Sequence, residues 1–212
     1  MRYNKKDFDK NGVMIMEKLS QSIVGFICRN MQVDDEMAEV YKYGIEILIS
    51  SLINFLLIFI SSMILGDLIA GIVFMTLFIL LRSYTGGYHA ETYLRCNIAF
   101  ICTYLATYGA AQVISDIKHN IVLTAALLVL AYIPIWIFAP VKNRHKYLSE
   151  EKRRFSRFIS TAVYFLSALI AMMLCLNNIW YGYLVAVTDI SISLLVMVEV
   201  FMQKKGYHPS GE

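Results

Sequence analysis

Residues 45–66 read IEILISSLINFLLIFISSMILG, a run that no Lys or Arg interrupts. As a helix rising 1.5 Å per residue it reaches about 33 Å, enough to cross a hydrocarbon core of roughly 30 Å. Five further runs without Lys or Arg follow, at 68–81, 97–115, 120–140, 158–176 and 179–202. The 212 residues are 58% hydrophobic and 17% charged, with a mean hydropathy of +0.58. A soluble chain of that size cannot hide so many apolar runs in one core, so lipid must solvate much of its surface. The expected fold is an all-α polytopic membrane protein, a single membrane domain over 1–212 with six transmembrane helices. The same composition excludes a disordered chain, a collagen-like one and a nucleic-acid binder. Four cysteines do not make a disulfide scaffold at this length, and residues 1–30 carry charges throughout, so no cleavable signal peptide is expected.

The charges between the runs orient them. The links at Gly66–Asp67, Asp116–His119 and Asn177–Asn178 are short, and Lys118 is their one basic residue. The rest of the 19 Lys and Arg lie before residue 45, at Arg82 and Arg95, between Lys142 and Arg157, or at Lys204 and Lys205. A six-span path puts all of these on one side, which the positive-inside bias makes the cytoplasm, together with both termini.

Run 68–81 is the short member, spanning about 21 Å as a helix. Either the bilayer thins and Arg82 snorkels, or the segment that follows dips back into the membrane, and both hold 82–96 near the interface. Before the first span, Met16, Leu19, Ile23, Phe26 and Ile27 recur at helical spacing with Glu17, Lys18 and Gln21 opposite. This pattern predicts an interfacial amphipathic helix over 13–30. Asp34, Asp35 and Glu36 suit the N-terminus of a helix leading into that span. Pro134 predicts a kink in the fourth span and Pro140 its end.

Chemistry concentrates between the second and third spans, in Arg82-Ser-Tyr-Thr-Gly86-Gly87-Tyr-His89-Ala-Glu91-Thr-Tyr-Leu-Arg95-Cys96. Paired glycines release the backbone from helical dihedrals, so a turn at Gly86 and Gly87 presents His89 at a new angle. A thiol acyl-transfer site requires this residue pair: a thiolate attacks a carbonyl carbon while imidazole activates the thiol and protonates the departing amine. On one straight helix His89 and Cys96 share a face within about 20° but lie about 10.5 Å apart along the axis. A working pair therefore predicts a bend or break between them. The bland alternative makes His89 an interfacial histidine and Cys96 a small apolar filler, and spacing alone leaves the two readings open. Zinc is disfavoured, because His89, Glu91 and Cys96 lack a fourth ligand at suitable spacing. No cofactor is expected.

Arg82, the run Gly86-Gly87-Tyr88-His89-Ala90 and Cys96 resemble the signature of the accessory gene regulator B (AgrB) family of membrane cysteine endopeptidases. Ala139-Pro140 followed by the basic stretch from Lys152 to Arg157 is similar to that family too, and the likeness covers essentially the whole chain. The resemblance implies a protein of the bacterial plasma membrane that processes an AgrD-like quorum-sensing propeptide. Cys96 would attack the bond before the propeptide's C-terminal tail with His89 as its acid/base partner. An internal Cys or Ser of the peptide would then displace the thioester and close a thiolactone or lactone ring. A homodimer is compatible with the family.

Other residues carry two readings each. Arg82 either positions substrate or snorkels, and Gly87 turns the backbone beneath it. Lys142, Arg144, Lys146, Arg153 and Arg154 either hold an acidic propeptide tail or anchor a cytoplasmic loop to an anionic leaflet. Asp189, near the middle of the last span, and Glu199, nearer its end, are candidates to orient His89, with packing as the alternative. Gln21, Asn97 and the backbone amides after Gly86 are candidate oxyanion donors. Cys28, Cys102 and Cys175 read as ordinary buried thiols. A peptide transporter or a non-catalytic scaffold remains the competing class.

Overall fold

The computed structural model describes residues 19–26, 28–29, 34–86, 93–117, 120–141 and 149–204, without the side chains of 35 and 36. Its elements are a short helix α1 over the described residues 19–26 and 28–29, then α2 (Asp35–Leu65), α3 (Leu68–Thr85), α4 (Tyr93–Ser115), α5 (Asn120–Phe138), α6 (Glu150–Leu176) and α7 (Tyr181–Lys204). Among the described residues, helices α2 to α7 are six that are long and apolar enough to cross a membrane, so the protein is an all-α polytopic membrane protein. The remaining part of the expected 13–30 helix lies outside the described residues. Within α1, Leu19, Ile23 and Phe26 are exposed, as apolar residues facing lipid would be.

Most helix ends fall where local chemistry stops them. Helix α2 begins at the acidic cluster, and its 31 residues reach about 46 Å, so the first turns extend past the apolar run that announced it. Gly66 takes a positive φ of 73° between α2 and α3, and Asp67 caps α3 by accepting the Ala70 amide at 3.0 Å. Ser149 caps α6 through the Lys152 amide, with Glu150 and Glu151 in the first turn, where carboxylates favour the helix dipole. Two boundaries differ from those expected. The second span does not stop at 81 but runs 18 residues to Thr85, about 27 Å, and much of the shortfall disappears. A charge such as Arg82 ends an apolar run without ending a helix; Gly86, with φ 69°, is what stops α3. Likewise α6 starts at Glu150, so Lys152, Arg153, Arg154 and Arg157 lie on a helix and not in a loop. Pro134 sits inside α5, which ends at Phe138, just before Pro140.

The chain divides into two compact units, 1–57 with 90–101, and 58–89 with 102–212. The first contains α1, the leading part of α2 and the start of α4. In the second, α7 packs against α3, α5 and α6, and its residues Gly182 to Asp189 are buried without interruption. Close approach there depends on Gly182: a Cβ at that position would lie 2.7 Å from both the Ala171 carbonyl oxygen and the Cys175 amide nitrogen. Lipid supplies no hydrophobic drive between helices, so small contacts and polar pairs do the joining. Ser62 and Tyr104 share a hydrogen bond of 2.8 Å, Thr107 and Ser191 one of 2.9 Å, and the Tyr181 hydroxyl donates to Asp67 Oδ1 at 3.1 Å.

Candidate functional site

Cys96 lies in the first turn of α4, half-buried. The residues on either side of it fasten this turn to α2 within the first unit. The Tyr93 hydroxyl donates to Glu46 Oε2 at 3.2 Å, and Ser50 Oγ donates to Asn97 Oδ1 at 2.9 Å. Tyr93 and Asn97 are four residues apart on α4, Glu46 and Ser50 four apart on α2, so two rungs join matching faces of two helices. Glu46 Oε1 also accepts from Ser20 Oγ of α1 at 3.2 Å, tying the N-terminal helix to the same carboxylate. Asn97 is buried, and Asn54, one turn beyond Ser50, has a buried Oδ1 without a hydrogen-bond partner. The sequence reading missed Glu46, Ser50 and Asn54. Their spacing of four along a stretch bound for lipid was the available signal, since polar groups in a span need partners or a purpose.

Within the second unit the C-terminal end of α3, the segment after α5 and the start of α6 meet. The Val141 amide donates to the Thr85 carbonyl at 3.0 Å, and a Cβ on Gly86 would come within 3.3 Å of the Val141 carbonyl oxygen. Arg157 Nε donates to the Ala139 carbonyl at 3.0 Å. Ala139-Pro140 and the basic stretch, separate in sequence, are thereby connected. Beside Arg157, the residues Glu150, Arg153 and Arg154 line a cleft of about 250 Å³ with a net positive wall. Arg82, in the last turn of α3, places its guanidinium 5.7 Å from the centre of the Phe78 ring, a cation–π contact that holds it along its own helix.

Asp189 is fully buried among α7's contacts. Its Oδ2 accepts from Ser167 Oγ at 2.8 Å, while Oδ1 has no partner. Glu199 pairs along its own helix, accepting from Gln203 Nε2 at 2.9 Å. Ten residues separate the two acids, about 15 Å along α7, so they do not act at one point. Cys175 is buried as expected, whereas Cys102 is exposed, on a surface of the kind lipid covers. His89, Gly87, Lys142, Arg144 and Lys146 lie outside the described residues, as does most of the segment between His89 and Cys96. Among the described residues, no three His, Cys, Asp or Glu side chains converge to hold a metal.

A family model described as Accessory gene regulator B matches residues 20–202. A protein described as AgrB-like from Lactiplantibacillus plantarum is 26% identical over 198 residues, covering 91% of this chain and 92% of its own. Another from Clostridium perfringens is 25% identical over 144 residues, 66% of this chain and 67% of its own. No solved structure matches the chain.

Proposed function

The chain belongs to the accessory gene regulator B family, and on that premise we propose that it is a membrane-embedded cysteine endopeptidase that trims and cyclises an AgrD-like propeptide. Cys96 is the nucleophile and His89 its acid/base partner. The thiolate adds to the carbonyl carbon before the C-terminal tail, imidazolium protonates the departing amine, and a thioester on Sγ remains. A tethered Cys or Ser of the peptide then displaces Sγ, forming the ring and regenerating the thiol. Thioester-to-thioester exchange conserves bond type, so the uphill step is the first, and loss of the tail draws it forward. A site that excludes bulk water favours the tethered nucleophile over hydrolysis.

The observation that carries this reading is the setting of Cys96: a half-buried thiol in the first turn of a helix whose flanking residues are bonded to a second helix. The helix turn that carries this thiol is held in place, as a nucleophile's setting needs to be. The arginine-lined cleft at the start of α6 suits an acidic tail, with Arg153 and Arg154 as contacts and Lys142, Arg144 and Lys146 as further ones. Arg82 positions the substrate and Gly87 turns the backbone. Both termini and the reacting groups belong to the cytoplasmic side, where the basic residues fall.

Intact-mass measurement of the protein incubated with a synthetic AgrD-like precursor tests the reading. The expected result is an adduct on Cys96 equal to the tail-less peptide, lost in Cys96→Ala together with tail release. Unchanged processing by a membrane-inserted Cys96→Ala protein refutes it.

A further inference from the structure

Trapping an acyl group on Cys96 requires a place for negative charge. When the thiolate adds to the scissile carbonyl, the S–C bond forms and the π pair moves onto oxygen. That oxyanion needs a donor already in position, since a group that must first turn toward it contributes little. In the first turn of α4 three side chains could supply one. The Tyr93 hydroxyl already donates to Glu46, and Arg95 is exposed on the helix surface. Asn97 remains, buried, with its acceptor oxygen taken by the Ser50 hydroxyl. That bond settles which way the amide faces: Oδ1 turns to α2 and the two Nδ2 hydrogens turn away from it, available to donate.

Resting on the assignment of Cys96 as nucleophile, we propose that Asn97, held in orientation by Ser50, is the side-chain donor to the oxyanion formed on Cys96. Its position is suitable in kind. Neighbouring residues on a helix diverge by about 100°, which puts Cys96 at the margin of the face docked on α2 and Asn97 on that face. An acyl group bonded to Sγ and lying on the side of Asn97 turned from Ser50 presents its oxygen to the Nδ2 hydrogens. One turn beyond Ser50 on α2, Asn54 Oδ1 is a further buried polar atom without a partner. As the tetrahedral intermediate collapses, the pair on oxygen returns to carbon, the C–N bond breaks, and the amine leaves with the imidazolium proton.

The test uses the full-length protein in lipid nanodiscs, a synthetic AgrD-like precursor that the wild-type protein cleaves, and two readouts: tail release, and the rate of iodoacetamide alkylation at Cys96 followed by mass spectrometry. Asn97→Ala is expected to lower kcat about 10²- to 10³-fold, the usual effect of removing one oxyanion donor, with KM and Cys96 alkylation within about twofold. Asn97→Asp, which keeps the acceptor for Ser50 and removes the donor, lowers kcat at least as far, with slower alkylation because a carboxylate beside Cys96 disfavours the thiolate. Ser50→Ala retains the amide but frees its orientation, and lowers kcat about tenfold. If kcat stays within threefold in Asn97→Ala, or falls in step with alkylation, Asn97 merely packs α4 and the proposal is wrong. Should Asn97→Ala fail to insert, Ser50→Ala decides: unchanged kcat overturns the assignment. A Cys96→Ala protein that still releases the tail overturns the peptidase reading itself. Loss in Cys96→Ala with none in Asn97→Ala or Ser50→Ala overturns only the donor.

Discussion

Replacing Gly182 by Ala tests how α6 and α7 are held together. The added Cβ would sit 2.7 Å from the Ala171 carbonyl oxygen, 2.7 Å from the Cys175 amide nitrogen and 2.8 Å from Cys175 Sγ. Ordinary contact begins near 3.4 Å, so the helices must part by roughly 0.7 Å or more. Two of the three obstacles are backbone, and no side-chain rotation relieves them. Parting the pair loosens Ala171, Cys175 and Leu184, all fully buried, and overpacking of this kind costs about 1–3 kcal/mol. That is a factor of about 5 to 150 in the ratio of folded to unfolded protein. Gly44 and Gly109 are controls with the opposite sign. Neither has anything within 4 Å of an added Cβ, and each lies inside a helix, where Ala is favoured over Gly by up to about 1 kcal/mol. Thermal denaturation in detergent, followed by loss of the monodisperse peak, should rank Gly182→Ala below wild type and Gly109→Ala at or above it. Equal midpoints for Gly182→Ala and wild type would refute the close-approach argument, as would equal losses for all three variants.

Further outcomes follow from the same contacts. Tyr104→Phe removes the bond to Ser62 and should destabilise by about 1 kcal/mol, whereas Ser62→Ala, which strands a buried tyrosine hydroxyl, should cost more, about 1–3 kcal/mol in the same denaturation assay. Joint replacement of Arg153 and Arg154 by Ala should raise KM for an acid-tailed precursor several-fold with kcat unchanged, an effect that shrinks as salt is added; a fall in kcat alone would contradict a tail-binding role. Asp189→Asn keeps an acceptor for Ser167 and removes the ionisable group, so tail release should stay within twofold; a loss of a hundredfold or more would make the acid a partner in catalysis.

Much of the fold was legible because lipid imposes a simple rule: apolar runs long enough to span are helices, and α4 to α7 fall on the runs at 97–115, 120–140, 158–176 and 179–202. Helix ends were less legible, since an apolar run and a helix are different objects. Arg82 closes the run but α3 continues to Thr85, and α6 begins at the Ser149 cap, well before the apolar residues at 158. Cys96 stood out as a candidate thiol from its company in the sequence. Its supports were not, because Glu46 and Ser50 stand 47 residues from Tyr93 and Asn97, and no local pattern pairs them. The connection from Thr85 to Val141 and from Ala139 to Arg157 was hidden for the same reason.

Buried polar atoms without partners occur in both units, and their surroundings distinguish them. Asp189 Oδ1 lies in a residue with no exposure at all, enclosed by α7's neighbours. A guest could reach it only by opening that packing, so it acts as a local cost to the bundle, and Asp189→Asn is expected to be tolerated. Asn54 and Cys96 are each half-buried, on helices whose facing residues are already joined by the Glu46–Tyr93 and Ser50–Asn97 bonds. Asn54 Oδ1 is shielded as an atom, but its residue is part-exposed, so admitting a partner there disturbs less packing than at Asp189. In lipid, where water is scarce, an unpaired amide oxygen is unfavourable, and on the proposed function a precursor backbone is the group that would satisfy it once admitted.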